Sequence, residues 1–270
     1  LVQLQREGFR VTLLTPGSNG LIEPDQVSEA MAPDTILVSV MAANNEIGVL
    51  QPIEEIAEVC RSHGLPLHSD AAQAFGHIPL EPDGLGLDLV SLSAHKLYGP
   101  KGIGALVIRE GLQLQPLQWG GGQEQALRAG TLPTPLIVGF ATAVQLAMAQ
   151  RESQSTRLRG LRNQLWAGLQ KQIPGVALNG AAEPRLAHNL NITIPDIRGS
   201  RLQQALRSQL SCSSGSACSN GAPSHVLQAL GLSRQEAEAS LRLSLGRSTT
   251  DQELSALIHV IASAIRAARR

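Results

Sequence analysis

Apolar positions along the 270-residue chain switch between two periods, and the switches mark the elements. RVTLL (10–14) predicts a short strand, and the β-branched run TILVSVMAA (35–43) predicts a buried parallel strand. Pro52 opens a helix that runs to about His63, with Gly64 as its stop. LPLHSD (65–70), DLVSLS (88–93) and GALVIR (104–109) predict further strands. This β-α-β rhythm predicts an α/β fold with a mostly parallel sheet covered by helices. After the glycine-rich WGGGQE (119–124), a long helical region spans about Pro135 to Leu169. The seam between a large domain (1–150) and a smaller C-terminal α/β domain (151–270) is placed within it, near Gln150. The second domain reads as the strand NLNITIP (189–195), a helix from about Ser200, and the small-residue loop SCSSGSACSNG (211–221). Two short helices, the strand RLSLG (242–246) and a final helix from Asp251 follow. The opening LVQLQREGF reads as the end of an amphipathic helix without an initiating Met, so the chain is expected to be a fragment that lacks an N-terminal part.

Composition removes some function classes. Formal net charge is zero, which gives no electrostatic case for nucleic acid or an anionic membrane, and 2% aromatic residues leave little for base stacking. No apolar run reaches the length of a membrane span. The cysteines Cys60, Cys212 and Cys218 form neither a zinc pattern nor a disulfide framework, so no metal site is expected. Free thiols point to a reducing compartment, the cytoplasm.

Ligands of open parallel sheets bind beyond the carboxyl ends of the strands. Two such ends carry chemistry here: His68-Ser69-Asp70, running on to Gln73, and Ser91-Leu92-Ser93-Ala94-His95-Lys96. Pyridoxal phosphate requires a lysine amine and an acid beside its pyridine nitrogen. Of the three lysines, Lys171 lies near a helix end and Lys101 in a Gly-Pro-Lys-Gly turn, and only Lys96 directly follows a buried strand. Asp70 with Lys96 is therefore a candidate cofactor pair; an N-cap aspartate and a turn lysine is the other reading of the same spacing. Cys60 fits the apolar stripe of its helix, whereas Cys212 and Cys218 lie among Ser, Gly and Asn in a loop composition where a thiolate could reach a substrate.

The segment SLSAHKLYGPKGIGAL (91–106) resembles the cofactor-lysine motif of the class V aminotransferase-like enzymes, closest to the cysteine desulfurases of the NifS and IscS type. VSVMAANNEIGVLQPI (38–53), HSDAAQAFG (68–76), GGGQEQALRAGTLPTP (120–135), SSGSACSNG (213–221) and LRLSLGRSTT (241–250) are similar to that family in the same order. The resemblance implies a fold-type I pyridoxal-phosphate transferase that converts L-cysteine to L-alanine and moves the sulfur onto an enzyme cysteine as a persulfide.

It also implies roles. Lys96 would hold the cofactor and move the substrate α-proton, Asp70 would pair with the pyridine nitrogen, and Gln73 would hydrogen-bond the phenolic oxygen. Ser93 and His95 would contact the phosphate, or His95 would lie beside the lysine and share in catalysis. Thr131 would reach the phosphate of a neighbouring subunit, which implies a homodimer. Asn45 would sit near substrate and cofactor. Arg242 would clamp the substrate carboxylate, with Arg247 as its rival. Cys218 would carry the persulfide, with Cys212 as its rival. The sulfur would pass to an acceptor protein, an iron–sulfur scaffold or a tRNA-thiolation protein. A selenocysteine lyase, another class V relative, or a non-catalytic fragment are the competing functions.

Overall fold

The computed structural model describes residues 1–213 and 223–269. In chain order the elements are α1 (Val2–Arg6), α2 (Pro24–Ala30), β1 (Val38–Ser39), α3 (Ile53–Ser62), β2 (Leu67–Asp70), β3 (Leu89–Ser93), a 3-10 turn (Ala94–Leu97) and β4 (Gly104–Ile108). A second 3-10 turn (Gln123–Ala126), α4 (Thr134–Gln172), β5 (Ala177–Leu178), β6 (Asn189–Thr193) and α5 (Gly199–Leu206) follow. The chain closes with α6 (His225–Ala229), α7 (Arg234–Glu238), β7 (Ser240–Ser244) and α8 (Asp251–Ala268).

The first sheet has the order β1-β2-β3-β4, with β1, β2 and β3 parallel and β4 antiparallel on the edge. α3 covers one face. Its apolar residues Ile53, Ile56, Ala57 and Cys60 recur at helical spacing and pack with Leu67 of β2 and Val90 of β3. Gly64, at φ 66°, ends this helix: its N–H and that of Leu65 return to the carbonyls of Arg61 and Cys60. Alternation along β2 then sends Leu67 and Ser69 into the α3 core and His68 and Asp70 to the opposite face.

Two expected strands differ. RVTLL (10–14) has no strand partner and stays irregular. Backbone donors and acceptors need a ladder to make a strand, and apolar residues alone do not supply one. The run 35–43 forms the expected parallel strand only over the short β1, at the sheet edge, where Ile36, Leu37 and Met41 are exposed rather than buried.

The second sheet, β5-β6-β7, is antiparallel. Leu158, Leu161, Leu165 and Leu169 of α4 pack with Ile192 and Leu190 of β6, Leu241 and Leu243 of β7, and Ile261 and Ile265 of α8. Each fully buried aliphatic side chain of this kind contributes about 1.5–3 kcal/mol. The expected seam near Gln150 falls inside α4, which continues through it unbroken. The first half of α4 packs Phe140 and Ala143 on Ala94 and Leu97 of the 3-10 turn, and the second half belongs to the C-terminal core. One helix thereby fixes both units.

A turn at residues 44–49 joins the two units from the other side. The Asn44 side-chain oxygen accepts from the N–H groups of Glu46 and Ile47, at 2.8 and 3.0 Å, and closes the turn. Ile47 and Val49 then pack with Leu227, Leu230 and Ala237 from the C-terminal unit. Gly48 sits at φ 74°, and a Cβ there would lie 2.6 Å from Cβ and Cγ of Asn189. Gly48→Ala is therefore expected to lower stability by roughly 2–4 kcal/mol, combining left-handed backbone strain with the clash. Denaturant unfolding checks this, and a loss below about 1 kcal/mol would contradict the account of the turn.

Candidate active site

The parallel pairing of β2 with β3 sets Asp70 opposite Ser91, and β3 then leads through Ser93 into the turn bearing His95 and Lys96. The two polar strand ends singled out in the sequence thus lie side by side at one end of the sheet. On the face opposite α3, His68 bridges three strands: Nδ1 lies 2.8 Å from Ser39 Oγ and Nε2 2.8 Å from Ser91 Oγ. Burial lowers the His68 pKa, partly opposed by the Asp70 charge, so the ring is neutral at pH 7. A neutral imidazole has one donor and one acceptor nitrogen, which suits two hydroxyl partners.

Asp70 is exposed, and its Oδ1 accepts from the Ala72 N–H at 2.9 Å. It thus serves as a turn residue and still presents its carboxylate outward. Gln73 follows, half-buried. Ser93 Oγ lies 2.7 Å from His95 Nδ1. Buried Ala94 and Leu97 anchor the 3-10 turn, so His95 and Lys96 face solvent. Lys101 and Lys171 are exposed elsewhere. Thr131 is exposed just ahead of α4.

Histidines that the sequence analysis passed over support the lysine turn from behind. The His77 ring faces the Lys96 backbone, whose polarity partly opposes the fall in its pKa, and packs on His188, with centroids 4.5 Å apart. His188 precedes β6, so this pair ties the lysine turn to the C-terminal unit. Burial, and then the neighbouring His77, push the His188 pKa down to about 3; burial also lowers that of His77. A depressed histidine pKa contributes stability that is present above the unfolded value of 6.5 and is lost as pH falls towards the folded value. His188 alone is expected to cost roughly 2 kcal/mol between pH 6.5 and pH 5. Denaturant midpoints of wild type and His188→Gln across that range test this: equal slopes with pH would refute the assignment.

Tyr98 makes a second tie. Its hydroxyl accepts from the Arg247 N–H at 3.1 Å, and the Arg247 guanidinium lies 4.1 Å from the ring centroid. Arg242, the other candidate clamp, is half-buried on β7 and donates from Nη1 to the Asn45 carbonyl at 3.0 Å. Asn45 and Arg242, remote in sequence, are thereby brought together.

Among the cysteines, Cys60 is buried, and desolvation raises its thiol pKa to about 11. Cys212 is exposed overall, yet partial burial of its thiol raises its pKa too. Cys218 lies outside the described residues. No group of three or more His, Cys, Asp or Glu side chains placed to hold a metal ion occurs among the described residues, and none of their helices is long and apolar enough to cross a membrane.

A mostly parallel sheet with a lysine turn and an acid at its carboxyl end, followed by a small antiparallel unit, is the arrangement of a known class. The aminotransferase class-V family profile matches residues 1–257, and the chain belongs to that family. It is 47% identical over 267 residues to the cysteine desulfurase IscS of Photorhabdus laumondii, covering 97% of this chain and 66% of that protein. It is 44% identical over 261 residues to the mitochondrial cysteine desulfurase of Arabidopsis thaliana, covering 95% and 57%. The chain therefore spans just under two thirds of the length of the IscS relative. Among solved structures, a NifS-like protein superposes with TM-score 0.89 at 34% identity, covering 98% of this chain and 70% of that one. SspA in complex with cysteine superposes with TM-score 0.76 at 39% identity, covering 90% and 68%.

Proposed function

We propose that this protein is a pyridoxal-phosphate-dependent cysteine desulfurase. The observation that carries this reading is the pairing of β2 and β3, which brings the carboxylate of Asp70 and the turn holding Lys96 to one sheet end. The donor set there suits the cofactor: an exposed amine for its aldehyde, a carboxylate for a protonated pyridine nitrogen, and a hydroxyl–imidazole pair, Ser93 with His95, for its phosphate. Gln73 and Asn45 are assigned to the ring oxygen, and Thr131 to the phosphate of a second subunit. The Thr131 assignment makes the active form a homodimer. Two units, 1–150 and 151–270, would carry the cofactor residues and the cysteine segment respectively.

Bound, the cofactor supplies an electron sink for charge developing at the substrate Cα. Arg242 holds the substrate carboxylate through its planar fork. The Lys96 amine takes the proton from Cα. The Cys218 thiolate then attacks the substrate sulfur: a sulfur–sulfur bond forms and the Cβ–S bond breaks. The electron pair of the broken bond stays with carbon: Cβ takes up a proton, Lys96 returns one to Cα, and the product leaves as L-alanine. The raised pKa values of Cys60 and Cys212 keep those thiols protonated, which supports Cys218 as the nucleophile. The persulfide sulfur would go to an acceptor protein of iron–sulfur or tRNA-thiolation assembly, in the cytoplasm.

The test is L-alanine formation from L-cysteine with pyridoxal phosphate added, together with mass spectrometry of the thiols. Equal amounts of L-alanine and of one added sulfur atom on Cys218 are expected. Transamination without sulfur transfer would overturn the reading.

A further inference from the structure

Glu46 is a carboxylate buried at 1% exposure that none of the assigned chemistry uses. Burying a carboxylate is costly unless it is paired and hydrogen-bonded. Its partners lie in the other half of the chain. The Ser224 hydroxyl donates to Glu46 Oε2, and Ser224 is itself fully buried. The same Ser224 Oγ accepts from the Leu227 N–H at 3.1 Å, capping α6. Side-chain amides of Asn189 and Asn191 donate to the Glu46 backbone carbonyl at 3.2 and 3.0 Å.

The preceding residue handles the other side. The Asn45 carbonyl accepts from Arg242, and Arg242 pairs through its backbone with Ser213, N–H to O at 2.7 Å and the reverse at 3.4 Å. Ser213 and Ser224 are described residues on the two flanks of the segment that carries Cys218. Adjacent residues of one tight turn therefore hold both flanks, and that turn follows the strand bordering β2.

We propose that Glu46 is a positioning residue for sulfur transfer. Through Ser224 it fixes the C-terminal flank of the cysteine segment to the turn at residues 44–49, while the neighbouring Asn45 carbonyl holds the other flank through Arg242. This role rests on the desulfurase reading and adds to it a residue that touches neither substrate nor cofactor. A misplacement of about 1 Å in a reacting group costs on the order of 100-fold in rate, so a flank anchor acts on the sulfur step without acting on the proton step.

The test compares wild-type, Glu46→Ala and Glu46→Gln protein loaded with pyridoxal phosphate, with two readouts on each. One is the single-turnover rate of persulfide formation on Cys218 with L-cysteine. The other is deuterium incorporation at Cα of L-alanine in heavy water, which uses Lys96 and the cofactor but no thiol. Glu46→Ala is expected to lose at least about tenfold in persulfide rate while exchange stays within about threefold. Glu46→Gln keeps an acceptor for the Ser224 hydroxyl and is expected to stay within about threefold of wild type in both. Where Glu46→Ala does not fold, Ser224→Ala, which removes the donor with little change in volume, is expected to show the same split. A wild-type persulfide rate in the variant, or a parallel fall of both readouts, overturns the positioning role. In the wild-type protein itself, Cα exchange without any persulfide on Cys218 overturns the desulfurase reading, and the positioning role with it.

Discussion

Lys96→Ala is expected to reduce L-cysteine turnover by about 10³-fold or more, the scale of removing a positioned acid–base group. The same change should leave thermal stability within a few degrees of wild type. Lys96 faces solvent, while Ala94 and Leu97, buried against Phe140 and Ala143, hold its turn. Truncating the side chain therefore removes the amine without opening a cavity. Lys101→Ala is the matched control: it is exposed, lies five residues further on, and should retain turnover within about twofold, as surface substitutions do. Steady-state alanine production and visible absorbance of the bound cofactor measure both effects. If Lys96→Ala turned over at a tenth of the wild-type rate, another base would be at work and the assignment of the sheet end would fail.

What the sequence disclosed and what it hid divide along the range of the contacts involved. α3 was legible because Ile53, Ile56, Ala57 and Cys60 repeat at helical spacing and Gly64 closes the last turn. Asp70 and Lys96 were legible because each directly follows a strand and lies in a distinctive motif. The segment 10–14 was not, since whether an apolar run becomes a strand depends on a partner it does not encode. The exposure of β1 was hidden for a related reason: a run rich in β-branched residues reads alike whether or not a neighbour covers it. The contacts around the site were the least legible. Glu46 meets Ser224 across 178 residues, and Tyr98 meets Arg247 across 149. His77 directly follows a recognisable motif, but its partner His188 lies in the other half of the chain. Nothing in local spacing announces such pairs; they exist only once α4 and the 44–49 turn have docked the two units.

Cys218→Ser is expected to abolish persulfide formation, a loss of about 10³-fold or more, and to leave cofactor absorbance and Cα exchange of L-alanine as in wild type. The reason is chemical. The attack on the substrate sulfur needs a thiolate, and a serine hydroxyl neither ionises near pH 7 nor forms a stable bond to that sulfur. No other thiol substitutes. Cys60 is sealed under α3 with its pKa raised to about 11, so it has neither access nor charge. Cys212 is near in sequence and exposed, yet its thiol pKa is also raised, which holds it in the protonated form. Cys212→Ser should accordingly keep persulfide formation within about twofold, as a surface substitution does. Mapping the added sulfur by mass spectrometry in both variants separates the two residues. Sulfur found on Cys212 in the Cys218→Ser protein at the wild-type rate would move the nucleophile to the neighbouring thiol. Loss of cofactor binding in Cys218→Ser would show instead that this residue maintains the site rather than attacking from it.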